Sequence, residues 1–226
     1  MPYRILVRAA HRATGRLGWL RGALGALVGI LLAGLAARLT LMWAPAGLPW
    51  LLAPVGASAV LVFAVPASPL AQPWSVFGGD LLSALVGLTS AALIAWPPLA
   101  AGVAVGGAIA VMSMARCLHP PGGACALLAA LGSQAITAHG WGAFMGPLAI
   151  NVTALIVVGY LWNNLTGHRW PHRLPVRPTP DVRGYDRADL EAVLEEWDEV
   201  LDVSTDDLDA LFRAVERLVI QRTKAA

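Results

Sequence analysis

Residues 115–131, ARCLHPPGGACALLAAL, place two adjacent prolines, two adjacent glycines, an arginine and a histidine inside an otherwise apolar part of the chain. Proline and glycine disfavour the interior of a helix, and charged side chains are costly in an apolar environment. Proline does suit the first turn of a helix, where its missing N–H leaves no hydrogen bond unmade. The stretch is therefore interpreted either as a surface turn between two buried helices or as a functional site.

The charged residues are strongly segregated along the chain. Of the 226 residues, 57% are hydrophobic and only 13% are charged, whereas about 25% are charged in a typical globular protein. Between Gly22 and Gly167 the only charged residues are Arg38, Asp80 and Arg116. A water-soluble core does not exclude charge over such a length, so the sequence predicts a protein that spans the lipid bilayer several times.

Arginines flank the apolar block on both sides and indicate its orientation. Five precede it, and three more follow it in GHRWPHRLPVRP, residues 167–178. Because Lys and Arg next to membrane spans stay in the cytoplasm, we expect a basic cytoplasmic arm at residues 1–18, both termini in the cytoplasm, and a location in the cell (inner) membrane. The arginines are interpreted as topology signals and lipid contacts, so no nucleic-acid partner is predicted.

Proline, glycine and polar residues divide the block into six apolar segments, at residues 19–43, 50–66, 75–96, 98–115, 121–137 and 143–163. The prediction is an all-α, polytopic membrane helix bundle over residues 19–165. A crossing needs about 20 residues, and the second and fifth segments are shorter and begin near prolines. We expect them to be half-helices preceded by extended chain. Six crossings, or four crossings with two re-entrant segments, both keep the termini on one side.

Residues 166–226 are predicted to form an acidic, helical, cytoplasmic tail. Its apolar residues recur at intervals of three and four, which is typical of two amphipathic helices. Asp186 with Asp189, and Ser204 with Asp207, have the spacing of helix N-caps. About 45 residues are too few for an independent core, so the tail is expected to dock on the membrane domain or to pair between subunits of a homo-oligomer.

An internal repeat relates the opening stretch to an earlier one. Residues 54–61, PVGASAVL, match residues 121–128, PGGACALL, at an offset of 67, which also places Gly79 on Gly146. Chance alignment of Gly- and Ala-rich membrane sequence is the alternative to duplication. A duplicated unit of three crossing segments, with repeat 1 at about 19–96 and repeat 2 at about 98–165, inverts its second copy.

In an inverted repeat, two broken helices meet near the middle of the membrane with their N-termini directed at an anion. The first N–H groups of a helix lack internal partners, the peptide dipoles place about half a positive charge there, and glycine lets an ion approach the backbone. We therefore predict that a small inorganic anion binds at the two helix starts. The predicted substrate-binding residues are Pro54, Gly56, Ala57, Ser58, Arg116, His119, Pro120, Pro121, Gly122, Gly123 and Ala124.

Ionisable residues inside the block are candidates for gating or proton linkage, namely His119, Asp80 and Arg38. His119 is alternatively an N-cap or interfacial residue, and Arg116 is either a cation that attracts the anion or an anchor that reaches the lipid head groups. The orientation places Arg38 near the outer end and Asp80 near the inner end. Asp80 is therefore expected to reach Arg116 or His119 instead of Arg38.

Cys117, His119 and Cys125 invite a metal interpretation. Zinc sites need three or four ligands and no fourth is evident, so neither a metal nor another cofactor is predicted. The sequence contains no nucleophile–base pair and no phosphate-binding loop, so an enzyme is not expected. A membrane sensor or scaffold, whose spans position the tail and a partner, is the alternative to transport.

Three stretches, HPPGGACAL (119–127), GASAVLVFAVPASPLAQP (56–73) and YLWNNLTGHRWPH (160–172), resemble the HPP family of integral membrane proteins. The resemblance covers about residues 20–175, and it places the tripeptide that names the family at His119, Pro120 and Pro121. It implies a small multi-span protein, and plant plastid and cyanobacterial members are implicated in nitrite transport. The implied function is a transporter or channel for a small monovalent anion, with nitrite as the first candidate.

Overall fold

The computed structural model describes residues 18–42, 49–132, 139–172, 186–197 and 203–225. Within these ranges the chain forms helices and turns and no strand. It divides into two compact units, Met1–Pro171 and His172–Ala226. Residues 166–171, which were assigned to the tail, thus fall in the first unit. Nearly all of the basic arm, residues 1–17, lies outside the described ranges.

Each of the six apolar segments contains one described helix. In chain order these are α1 (Gly18–Thr40), α2 (Ala53–Ala64), α3 (Pro73–Leu93), α4 (Pro97–Met114), α5 (Pro120–Leu131) and α6 (Gly142–Leu165). Of these, α1, α3, α4 and α6 are long and apolar enough to cross a membrane. The other two have 12 residues each and extend about 18 Å, which is little more than half of the roughly 30 Å hydrocarbon thickness. The second and fifth segments therefore form short helices, as expected.

Prolines account for several of the helix starts. Proline occupies the first or second position of α2, α3, α4 and α5, where its fixed φ is already helical and its missing N–H leaves no bond unmade. The residues before the two short helices, Leu52 and His119, are both extended. The chain therefore enters each short helix from an extended segment, as the prolines predict.

Small residues face the inside of the bundle and large apolar residues face outward. The buried face of α1 consists of glycine and alanine alone, while Leu27 and Leu31 on its other face are 61% and 63% exposed. The buried face of α4 repeats alanine every fourth residue at Ala100, Ala104 and Ala108. This distribution is typical of helices that pack closely in lipid, where small residues let backbones approach and large ones contact acyl chains.

Helix α2 begins beside the middle of α6 and ends beside the end of α6. At its start, the Leu52 N–H donates to Asn151 Oδ1 of α6 over 3.1 Å. At its end, Asn163 Nδ2 donates to the Val62 carbonyl over 3.0 Å, and Arg21 Nη2 of α1 donates to the Phe63 carbonyl over 2.7 Å. The same arginine bonds Asn163, so the beginning of α1 and the end of α6 share one end of the bundle.

Helix α5 runs alongside α3 in the same direction. The residue before α5, His119, contacts Gly79 of α3, and Ala126 further along α5 contacts Gly87. The start of α3 lies at the bundle end that holds the end of α6, because Trp170 Nε1 donates to the Ala71 carbonyl just before α3. Helices α2 and α5 therefore run towards opposite ends of the bundle.

The second unit contains the two predicted amphipathic helices, α7 (Arg187–Trp197) and α8 (Thr205–Ala225). Both predicted N-cap pairs form hydrogen bonds, from the Asp186 N–H to Asp189 and from the Asp207 N–H to Ser204 Oγ. Arg187 joins the two helices through an ion pair with Asp206 of α8 and forms a second ion pair with Glu191 of its own helix. These partners raise the pKa of its guanidinium above the ordinary value. Docking of the tail or its pairing between subunits stays a prediction.

Candidate functional site

A carboxylate lies in the interior of the first unit, where it contacts both short helices. Asp80 of α3 is fully buried. Its Oδ2 lies 2.9 Å from Ser58 Oγ of α2, and its Oδ1 accepts a hydrogen bond from the Cys125 thiol of α5 over 3.4 Å. Ionisable residues within membrane-spanning segments are costly and usually pair with other polar groups. Asp80 fits this pattern, because each of the two short helices supplies it with a polar partner.

His119 completes a cluster of three side chains with Asp80 and Ser58, which we call the polar cluster. The imidazole of His119 is fully buried. Its Nδ1 lies 2.7 Å from the Leu70 carbonyl, and its Nε2 lies 2.9 Å from Ser58 Oγ and 3.9 Å from Asp80 Oδ2. A carbonyl oxygen can only accept, so Nδ1 carries a proton and Nε2 is the nitrogen whose protonation can change.

Glycines allow α3 and α5 to approach closely enough to form the polar cluster. A Cβ atom at Gly79 would overlap the Cβ of His119, and one at Gly122 would lie 2.6 Å from the Gly79 carbonyl oxygen. Any side chain at either position would push the helices apart. Gly122 therefore allows α3 and α5 to pack closely, whereas a Cβ at Gly123 would meet nothing within 4 Å.

Three residues outside the predicted set hold α2 in place. Arg21 and Asn163 bind the last carbonyls of α2, where a positive charge also complements the helix dipole. Asn151 of α6 bonds the Leu52 N–H and the Trp50 carbonyl at the start of α2. The sequence signal for Arg21 is weak. It stands at the edge of the basic arm, and its position just inside the first apolar segment is the only feature that distinguishes it.

The structure brings together one residue from each predicted helix start, Ser58 and His119. Among the other predicted binding residues, the buried ones are Pro54, Pro121 and Gly122, and the half-buried or exposed ones are Gly56, Ala57, Pro120, Gly123 and Ala124. The helix starts offer few free backbone donors. The prolines have no N–H, and the N–H groups of Val55 and Gly122 bond the carbonyls of Leu52 and His119. The helix dipoles and the polar side chains are the remaining means of attracting an anion.

Arg116 and Arg38 lie outside the polar cluster. Arg116 follows α4 with a φ of 52°, in the left-handed region. Its N–H bonds the Ser113 carbonyl and the next N–H bonds the Met112 carbonyl, which is a helix-ending motif that usually has glycine at this position. Both arginine side chains are exposed, and neither has a hydrogen bond or ion pair within the described ranges. Asp80 therefore reaches His119, one of its two expected partners, and does not reach Arg116.

A family model described as "HPP, transmembrane region" matches residues 11–171. This chain belongs to the HPP family. No curated protein and no solved structure gives a match to the chain. As an HPP protein whose described residues include four helices that are long and apolar enough to cross a bilayer, it is a multi-pass membrane protein. The matched region contains the whole polar cluster, and its HPP tripeptide supplies the residue before α5 and the first two residues of that helix.

Proposed function

We propose that this HPP protein is a transporter or channel for a small monovalent anion, with nitrite as the first candidate substrate. The observation that carries the proposal is the polar cluster. In a block of apolar helices, Asp80, Ser58 and His119 come from three different helix regions and meet in the interior. Buried ionisable groups within membrane helices typically mark ion and proton pathways.

The two short helices support an inverted-repeat transporter. Ala53–Ala64 and Pro120–Leu131 begin 67 residues apart and end 67 residues apart, the same offset that aligns their sequences. They also run towards opposite ends of the bundle. In the proposed topology the chain crosses six times, and extended chain plus a short helix make the second and fifth crossings. Broken helices at the interface of inverted repeats are where secondary transporters bind substrates.

The orientation places the entrance from the cytoplasm next to Arg116. The end of α4 and the start of α3 lie together, since Trp74 Nε1 donates to the Ala115 carbonyl over 3.0 Å. This is also the end of the bundle that holds Arg21 and the end of α6. By the positive-inside rule this end faces the cytoplasm of the cell (inner) membrane. Exposed Arg116 would attract an anion there, and the open sides of Gly56 and Gly123 would admit it towards the polar cluster.

Uptake into liposomes tests the proposal. The purified full-length protein is reconstituted, and entry of nitrite, nitrate, formate and chloride is compared with entry into empty vesicles. Empty vesicles correct for nitrous acid that crosses the lipid without protein. We expect protein-dependent entry of nitrite and a loss of that entry in His119→Ala. The matched control is Ser90→Ala, which removes a buried hydroxyl that bonds the Ala100 carbonyl, away from the polar cluster. Entry no faster than into empty vesicles for all four anions would refute transport.

A further inference from the structure

The hydrogen bonds of the polar cluster determine how many protons it holds. The Nδ1 proton of His119 is committed to the Leu70 carbonyl. The Ser58 hydroxyl has a single hydrogen atom, yet its oxygen lies 2.9 Å from Asp80 Oδ2 and also 2.9 Å from His119 Nε2. If the carboxyl group is ionised and the imidazole is neutral, both of these atoms are acceptors. One of the two contacts then lacks a hydrogen atom.

One additional proton completes both contacts. If it resides on Asp80, the carboxyl O–H donates to Ser58 Oγ and the Ser58 hydroxyl donates to His119 Nε2. If it resides on His119, the Nε2–H donates to Ser58 Oγ and the hydroxyl donates to the Asp80 carboxylate. The two forms interconvert when two hydrogen atoms shift along the same line of three groups, and no heavy atom needs to change partner. Both forms have a net charge of zero.

The form without the additional proton is unfavourable for a second reason. It leaves one net negative charge on groups that are fully buried among apolar helices, which is costly. Within the described ranges no cation offsets this charge. The Cys125 thiol donates to Asp80 from α5, and Cys117 packs beside Gly78 from the segment before α5. Arg21 bonds the Phe63 carbonyl at the far end of α2, and Arg116 is exposed, so neither offsets a charge on the polar cluster.

We infer that the polar cluster binds one exchangeable proton and that this proton is transported together with the anion. The second half of the inference rests on the proposed anion transport. An anion that approaches the proton-free cluster meets a negative charge, whereas the proton-bound cluster is neutral. Binding of the anion and of the proton therefore favour each other, and such coupling is reciprocal.

The contact between Ser58 and His119 links this proton to movement of the helices. Ser58 lies on α2, and His119 lies at the start of α5. These helices belong to different halves of the proposed repeat, so a rocking motion of one half against the other separates the two side chains. Separation removes the arrangement in which one proton satisfies both acceptors. Proton release then accompanies the change of access.

Spectroscopy of the purified full-length protein tests proton binding without reference to any substrate. Infrared spectra report a protonated carboxyl group, and nitrogen NMR of labelled histidine reports the protonation of both ring nitrogens. At neutral pH we expect either a protonated Asp80, whose carboxyl signal then vanishes in Asp80→Asn, or a doubly protonated His119. An ionised carboxylate together with a neutral imidazole in the wild type would overturn the inference. If Asp80→Asn does not fold, Ser58→Ala provides the second variant, in which the two groups titrate independently.

Transport with a proton-sensitive dye inside the liposomes tests the coupling. For one proton per anion, nitrite accumulates about tenfold for each pH unit by which the outside is more acidic, because one pH unit corresponds to a tenfold proton ratio. We expect uptake to lose its dependence on the gradient in Asp80→Asn and Ser58→Ala, and to keep it in Ser58→Thr and in the control Ser90→Ala. Nitrite entry without proton entry would overturn the coupling. Absence of any flux would instead refute the proposed transport and leave the spectroscopic result standing.

Discussion

Helices α2 and α5 have the same length and the same proline-led start, yet their starts are stabilised by different chemistry. At α2 the backbone N–H of Leu52 is bound by the Asn151 side chain. At α5 the equivalent residue is His119, and its own side chain bonds the Leu70 carbonyl and Ser58. The first start is anchored by neutral groups, and the second carries a group that can gain or lose a proton. The shared backbone geometry therefore presents a titratable side chain at one of the two starts only.

The largest effect on nitrite uptake is expected when the residue before α5 is replaced by the type of residue that stands before α2. His119→Leu places at α5 the residue that stands before α2. It removes the proton-binding imidazole and leaves the Leu70 carbonyl and the Ser58 hydroxyl without their partner, which costs about 1–3 kcal/mol for each buried group. We expect nitrite uptake into liposomes to fall to the level of empty vesicles. Uptake equal to that of the wild type would show that transport does not require His119.

Two glycines that are related by the offset of 67 residues differ in their surroundings. A Cβ at Gly79 would overlap His119, whereas a Cβ at Gly146 would meet nothing within 4 Å. Gly79→Ala is expected to displace His119 and to lower the free energy of unfolding by about 1–3 kcal/mol, as overpacking does. Gly146→Ala is the matched control and should leave both stability and uptake close to the wild type. Thermal unfolding in detergent measures the difference, and equal effects would contradict the assigned contact.

The ends of two helices provide the next comparison. Arg21 binds the Phe63 carbonyl at the end of α2, while Arg38 lies exposed in the last turn of α1. Loss of a charged hydrogen bond from a partly buried site is worth roughly 1.5–3 kcal/mol. Arg21→Ala should therefore lower stability by about 2 kcal/mol, and Arg38→Ala by close to zero. If Arg38→Ala lowered the stability more than Arg21→Ala does, the assignment of Arg21 as a cap of α2 would be wrong.

The smallest effect on stability is expected at the two open glycines, Gly56 and Gly123. A methyl group at either position fits without contact, so Gly56→Ala and Gly123→Ala should leave the melting temperature unchanged. Both should nevertheless lower nitrite uptake, because the added methyl group narrows the open side through which the anion is proposed to approach the polar cluster. An effect of one variant alone would show that the anion contacts only one helix start.

Local sequence signals predicted the helices well because they depend on neighbouring residues. The prolines located the starts of α2 and α5, and the lengths of the apolar segments identified these helices as short. The apolar block, which has only three charged residues, identified the interior in which Asp80 and His119 meet. Each of these signals can be recognised without knowledge of how the helices pack.

Other parts of the site could not be predicted, because they depend on distant contacts. Gly122 and Gly123 are adjacent and alike in sequence, yet only Gly122 faces α3. The Nδ1 of His119 bonds the main-chain carbonyl of Leu70. Because every residue has such a carbonyl, the residue type at position 70 gives no indication of this contact. Arg21 seemed to belong with the other basic residues of the arm, because its partner carbonyl is 42 residues away.

In the left-handed turn after α4, the backbone conformation of Arg116 favours glycine, whereas the chain has a charged residue there. Arg116 occupies a conformation that costs a residue with a side chain about 1 kcal/mol more than glycine. Arg116→Gly is therefore expected to make the protein more heat-resistant while it removes the only permanent charge in the segment between α4 and α5. A variant that unfolds later yet takes up nitrite more slowly would identify this turn as one where the chain keeps a positive charge at the expense of a better-fitting residue.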